Sequence, residues 1–276
     1  MTIVAGRSLE ATGHWTAAAR ALETARPDGL FSDPWARDLA GPEGLAWLEG
    51  RTPDNVLPMV LRTRYFDDWL GAVLARGTVR QVVIPGAGLD ARCFRLAWPP
   101  EVRCFEIDRP EPLRHKADVL DRARAEPRCQ RRVVEADLLG RWADALLAAG
   151  FDLAEPSAWL LEGLLFYLEP EAVARLLGQV SGLASAGSEL GFDVVNGAML
   201  TSPWTSPWVA MQAAAGAPWI GTMEDPIGFM AELGWQATLT QAGQPDASHG
   251  RWTLPVIPTT MPDMPHDWFV TARLAP

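Results

Sequence analysis

Over the first eighty positions apolar residues recur at helical spacing. Thr16 to Arg26 is an alanine-rich amphipathic stretch that stops at Pro27. Ser32-Asp33-Pro34 reads as a helix start, with Asp33 as N-cap and Pro34 at the first helical position. Val56 to Arg76 carries Val60, Leu61, Tyr65, Trp69 and Val73 at helical intervals and ends at Gly77. From residue 81 the pattern changes. Short runs at Gln81–Pro85, Val102–Ile107, Arg132–Ala136, Ser157–Leu161 and Glu189–Val195 alternate with helical stretches, one through Leu120 and one over Glu169–Ala184. Strand–helix repetition implies a parallel sheet covered by helices on both faces. The right-handed crossover rule narrows this to a doubly wound topology. Beyond Asn196 the chain is rich in Pro and Trp. Asp225–Leu233 then predicts a helix, and Trp235–Leu239 and Trp268–Ala272 a closing antiparallel pair.

The 276 residues are 48% apolar and 21% charged, which excludes a disordered chain and a disulfide scaffold. A net charge of −10 opposes binding to a nucleic acid. The densest basic run, Arg122, Arg124, Arg128, Arg131 and Arg132, reads as a solvated helix end. The first ten residues lack a signal-peptide pattern. No apolar run reaches the roughly 18 residues of a membrane span. Cys93, Cys104 and Cys129 show no CxxC spacing, and an odd count fits free thiols in the cytoplasm. His14, His115, His249 and His266 are scattered, so no metal site is expected. Thirteen Trp against two Tyr hint at large apolar pockets, or at a Trp-filled core.

The candidate chemistry lies at successive strand ends. The first strand runs into Gly86-Ala87-Gly88-Leu89-Asp90-Ala91, a GxGxxA match that is weak alone. The second ends in Asp108, about 20 residues on, where an acid can accept both ribose hydroxyls. The third ends near Asp137 and the fourth at Glu162. Singly, each acid is equally well a helix cap or a solvated loop residue. Together they ring one crevice outside the carboxyl ends of the strands, where ligands of such sheets bind. A nicotinamide dinucleotide and S-adenosylmethionine both suit it. Asp90, at the start of the next helix, would repel a pyrophosphate but favours a sulfonium and an ammonium. Neither Tyr65 nor Tyr167 is followed four residues later by Lys, so no Tyr-xxx-Lys hydride-transfer pair exists.

At this point a resemblance enters. Arg20-Ala21-Leu22-Glu23, Asp33-Pro34, the 62–67 segment RTRYFD, GAGLDAR (86–92), FEIDRP (105–110), EADL (135–138), LLEGLLFYL (160–168) and the terminal FVTAR (269–273) are similar to motifs of the leucine carboxyl methyltransferase family of class I S-adenosylmethionine-dependent methyltransferases. The implied fold is an α/β, Rossmann-like, doubly wound sheet of seven strands, mostly parallel with one antiparallel strand. The implied layout is one domain over 1–276: a helical cap (1–80), a cofactor-binding core (81–195), a substrate lid (196–233) and closing strands (234–276). The resemblance implies that Arg62 binds the cofactor carboxylate and that Gly86 and Gly88 lie along the methionine. It implies that Asp108 holds the ribose, that Asp137 and Leu138 frame the adenine, and that Glu162 lies near the amino-acid end. Arg20 is a second basic contact. Pro85 and Ala91 depart from the family's usual residues without abolishing the loop.

Oxygen methylation of a small or peptide natural product, on a carboxylate first, is the activity the resemblance implies. Tyr167 is the candidate to orient the acceptor, or else a core aromatic. Trp204, Trp208 and Trp219 would wall the acceptor pocket. The competing readings are a phenol or hydroxyl acceptor, a protein that keeps the cofactor without transferring methyl, and a dehydrogenase.

Overall fold

The computed structural model describes residues 6–261 and 263–275. Three helices open the chain: α1 (Gly6–Thr24), α2 (Ala36–Leu48) and α3 (Pro53–Ala75). Strands and helices then alternate through β1 (Gln81–Pro85), α4 (Arg92–Arg95), β2 (Arg103–Asp108), α5 (Pro110–Arg122), β3 (Gln130–Glu135), α6 (Trp142–Ala148), β4 (Ser157–Leu161), α7 (Pro170–Leu183) and β5 (Glu189–Val195). After α8 (Gly197–Thr201), α9 (Ser206–Ala214) and α10 (Pro226–Glu232) come β6 (Trp235–Thr240), α11 (Pro245–Ser248) and β7 (Asp267–Leu274). The seven strands form one sheet in the order β3-β2-β1-β4-β5-β7-β6. β1 to β5 pair in parallel, and β7 runs antiparallel to both β5 and β6. No described helix is long and apolar enough to cross a membrane.

β1 shows why the sheet is covered on both faces. All five of its residues are buried. Val83 packs on one side with Phe105, Trp159 and Leu161, and Val82 and Ile84 on the other with Leu70, Val73 and Cys104. Strand side chains alternate between faces, so a strand apolar at every position needs two cores. Five of the thirteen indoles are buried in these cores, Trp142, Trp159, Trp235 and Trp268 on one side and Trp98 on the other.

Three expectations need correction. The helix expected at Pro34 starts at Ala36, though Asp33 still caps its first turn, with Oδ1 accepting from Trp35 N at 3.2 Å while Oδ2 pairs with Arg20 at 2.8 Å. β3 starts two residues before the expected Arg132. It is an exposed edge strand whose only buried residue is Val134, so alternation gives it little register. The basic run is not one solvated helix end: α5 stops at Arg122, and Arg131 turns inward to Glu106 at 2.7 Å, beside Lys116 at 3.0 Å.

Candidate active site

A crevice of about 390 Å³ opens at the carboxyl ends of the central strands, between the sheet and helices α1, α3 and α9. Its floor is the turn after β1. Gly86 N and Ala87 N donate to Ile107 O at 2.8 and 3.0 Å, folding the turn back onto β2. Gly86 has φ +72° and Gly88 φ +40°, and a Cβ on Gly86 would meet the Leu164 side chain at 3.1 Å. Only glycine combines that backbone with such an approach. From α1, Arg20 donates to Leu89 O at 2.7 Å and fixes the turn from above. Asp108 closes it: Oδ2 accepts from Gly88 N at 2.6 Å and Oδ1 from Arg109 N at 2.7 Å. Burial raises the Asp108 pKa, and these two N–H groups restrain the rise.

Beside the turn lies a network of ion pairs. Glu162 Oε1 accepts from Arg62 Nε at 3.0 Å, and Oε2 from Arg92 Nη2 at 2.6 Å. Arg62 Nη1 reaches Asp193 Oδ2 at 2.9 Å, and Asp193 Oδ1 accepts from Gly163 N at 2.6 Å. Arg92 also binds Asp67, at 2.7 Å, and Asp90, while Arg95 binds Asp67. Burial would raise Asp90, but the guanidiniums of Arg92 and Arg95 overcome it and hold the carboxyl at about 2. Burial likewise opposes ionisation of Glu162, and Arg92 and Arg62 win. Asp267, at the start of β7, has no such partner. Burial, then the charge of Asp193, pushes it up to about 7 against the pull of Arg62. The network thus holds Arg62, Arg92 and Arg95 against Asp67, Asp90, Glu162, Asp193 and Asp267, two more acids than bases. A ligand carrying positive charge is favoured there.

The other end of the crevice is aromatic. Tyr167 sits on a single 3-10 turn, Leu165–Tyr167, and is 8% exposed. Phe166 lies 4.2 Å from Trp219 between ring centroids, and Trp208 meets Trp219 edge-on at 4.4 Å. The chain returning from α9 is fastened to that turn by Ile220 N and Gly221 N, which donate to Phe166 O at 2.8 and 3.1 Å. A Cβ on Gly221 would collide with the carbonyls of Leu165 and Leu168. Burial raises the Tyr167 pKa, so its hydroxyl keeps its proton. Two polar atoms among these residues are buried without a well-aligned hydrogen bond, Trp219 Nε1 and Gln212 Oε1. Asp267 Oδ1 and Arg95 Nε, also on the crevice wall, are two more.

The eight residues singled out from the sequence, Arg62, Gly86, Gly88, Asp108, Asp137, Leu138, Glu162 and Tyr167, all line this one crevice. Arg62 does not pair with its helix neighbours. Asp67 is held by Arg92 and Arg95, and Asp68 by Arg64. Trp208 and Trp219 line the crevice, but Trp204 is 72% exposed and does not join them. Sequence reasoning gave no role to Arg92, Asp193, Gln212 or Asp267. Arg92 closes the GAGLDAR stretch and so had a signal. The other three had none, because an acid inside β5, a glutamine on a short helix and an acid opening the last strand carry no spacing rule.

A seven-stranded sheet with one reversed strand, and a glycine turn and an acid-rich crevice at its carboxyl edge, fit an S-adenosylmethionine-dependent methyltransferase. Residues 13–181 match the leucine carboxyl methyltransferase family, and the chain belongs to that family. It is 41% identical over 273 residues to a Frankia alni protein named as an S-adenosyl-L-methionine-dependent methyltransferase, covering 91% of this chain and 92% of that one. A Streptomyces coelicolor protein of the same description is 38% identical over 252 residues, covering 87% and 88%. Among solved structures, a duf574 family protein from Streptomyces avermitilis superposes with a TM-score of 0.59 at 17% identity, over 94% of this chain and 96% of that one.

Proposed function

We propose that the enzyme methylates oxygen, with a carboxylate of a small or peptide-sized natural product as the preferred acceptor. The observation that carries this reading is a pair of donors facing the aromatic end, the protonated hydroxyl of Tyr167 and the buried indole N–H of Trp219, which reaches that hydroxyl only in poor geometry. Leaving a buried donor unpaired costs on the order of 1–3 kcal/mol, which an oxygen acceptor recovers. A carboxylate has two oxygens: one takes these donors and the other stays free to attack.

Bound S-adenosylmethionine supplies an electrophilic methyl on a sulfonium. The chain's residues then bind, orient and exclude water. Asp108 holds the ribose hydroxyls, which a carboxylate can accept as a pair. Asp137 and Leu138 border the adenine. Gly86 and Gly88 let the methionine lie against backbone, Arg62 takes its carboxylate, and the acid excess around Glu162 favours its ammonium. Stabilising positive charge improves binding more than rate, because that charge falls during transfer. Acceleration therefore comes from holding nucleophile and methyl in line, and from a dry, aromatic acceptor wall. The segment 196–233, anchored at Gly221, serves as the lid.

A second reading, a phenol or hydroxyl acceptor, is favoured by Asp267. Its carboxyl lines the crevice with a pKa near the working range and is suited to take a proton from such a group. Products from a panel of acids, phenols and amines, labelled from methyl-labelled cofactor, decide between them. A methyl ester cleaved by mild alkali is expected. A base-stable ether moves the assignment to the second reading. Methylation on nitrogen or carbon, or cofactor binding without transfer to any member, contradicts both.

A further inference from the structure

Away from the crevice, all three cysteines of the chain converge. Cys93 on α4, Cys104 on β2 and Cys129 just before β3 bring their Sγ atoms within 4.8 Å of one another. Cys93 and Cys104 are fully buried and Cys129 is half-buried. None of the three lines the crevice, so methyl transfer leaves them unused. Their spacing along the chain conceals the cluster, which depends on β2 and β3 lying side by side.

The surrounding backbone is fixed. Cys93 O accepts from Arg128 N at 2.8 Å, tying the loop before β3 to α4. Cys104 stands in register with Val82 of β1 and Arg131 of β3. The Arg131 guanidinium lies over the Phe94 ring, 5.3 Å from its centroid, and brings a positive charge to the thiol side of the sheet.

Two chemistries suit neighbouring thiols, and distance separates them. A disulfide needs an S–S length of about 2.05 Å, a movement of some 2–3 Å between a strand, a helix and a loop already pinned together, and it leaves the third thiol over. Thiolate bonds to a metal of about 2.3 Å place three sulfurs roughly 4 Å apart around one ion, inside the 4.8 Å within which all three lie. All-sulfur sites select soft cations such as Cu+ and Zn2+ over hard ones. We propose that Cys93, Cys104 and Cys129 form a trithiolate site for a soft, filled-shell cation, entered from the Cys129 side. Because Cys93 follows Arg92 directly, an ion there would pin α4 to β2 and to the start of β3, steadying the residue that joins Asp67, Asp90 and Glu162.

The test uses the full-length chain, reduced and freed of metal, titrated with Cd2+, whose thiolate bonds give an ultraviolet charge-transfer band. Saturation at one equivalent, a band of three-thiolate intensity and a raised melting temperature are expected. Parallel titrations with Zn2+ and Cu+ against a competing chelator rank the natural ions. Cys129→Ser alters the half-exposed thiol and leaves the two buried ones. It should weaken Cd2+ binding by more than about 100-fold, since even partners outside the coordination sphere cost 10–100-fold. Binding without a charge-transfer band, undiminished binding by Cys129→Ser, or no binding by a parent chain shown to be folded by circular dichroism overturns the proposal. None of these readouts depends on methyl transfer.

Discussion

At the sheet end of the crevice, Arg62, Arg92, Glu162 and Asp193 satisfy one another at 2.6–3.0 Å. At the α9 end, Trp219 Nε1 and Gln212 Oε1 are buried with nothing aligned to them. These four groups are held before any ligand arrives, although Arg95 Nε and Asp267 Oδ1 beside them keep no aligned bond, so a ligand there meets a charged frame already in place. The aromatic end is left with unmet hydrogen-bonding capacity, which its ligand must fill. Cofactor affinity should therefore reside in the first region and acceptor choice in the second, and substitutions in one should leave the other's readout unmoved.

The largest effect should come from breaking the network itself. Arg92→Met takes the ion-pair partner from buried Asp90 and leaves Asp67 to Arg95 and Glu162 to Arg62 alone, and removal of one partner from a buried pair costs about 3–5 kcal/mol. Urea unfolding measures this. A loss under about 1 kcal/mol would mean that the charged end is not held by Arg92.

The pH dependence of stability comes next. Asp267 has a folded-state pKa of about 7, above the value near 3.9 of an unfolded aspartate. Between those values the folded chain binds the extra proton, so this contribution is fully present below about pH 4 and is lost as pH rises through 7. Asp90, lowered to about 2, acts oppositely: its contribution is present above about pH 4 and is lost as pH falls through 2. Asp267→Asn should flatten the decline between about pH 4 and 7 and leave the acid limb intact. An unchanged decline would assign it to another group.

Asp108→Ala should weaken cofactor binding by about 1.5–3 kcal/mol, the scale of hydrogen bonds to a charged group. Acceptor preference should not move. The smallest change is Trp219→Phe, which keeps the aromatic wall and removes the N–H. Folding stability should change little, because the N–H that is lost meets only the Tyr167 hydroxyl, and in poor geometry. Acceptor kcat/KM should fall by about 0.5–1.5 kcal/mol, one hydrogen bond's worth. An unchanged kcat/KM would remove Trp219 from acceptor recognition.

The same division governs what was legible in the sequence. Gly86, Gly88, Asp108, Asp137 and Glu162 lie at strand ends, and a parallel sheet brings its strand ends together whatever the packing details, so periodicity alone located them. Asp193 was hidden because an acid within a buried strand reads as an interruption until Arg62 is seen opposite it. Trp219 was marked by the Trp- and Pro-rich run, but Gln212 beside it depends on how α9 and the chain after it fold over the turn at Tyr167. That path rests on the hydrogen bonds of Ile220 and Gly221 to Phe166, which no spacing encodes. The edge strand β3 slipped for a related reason: with one buried residue, its register comes from β2 rather than from its own pattern.

The most direct test of the division is calorimetric titration of S-adenosylmethionine into the parent chain, Asp108→Ala and Trp219→Phe side by side. Asp108→Ala should bind at least about tenfold more weakly, each tenfold being 1.4 kcal/mol, while Trp219→Phe should match the parent within about twofold. Equal affinity in a folded Asp108→Ala, or a larger loss in Trp219→Phe, would contradict the assignment of the two ends.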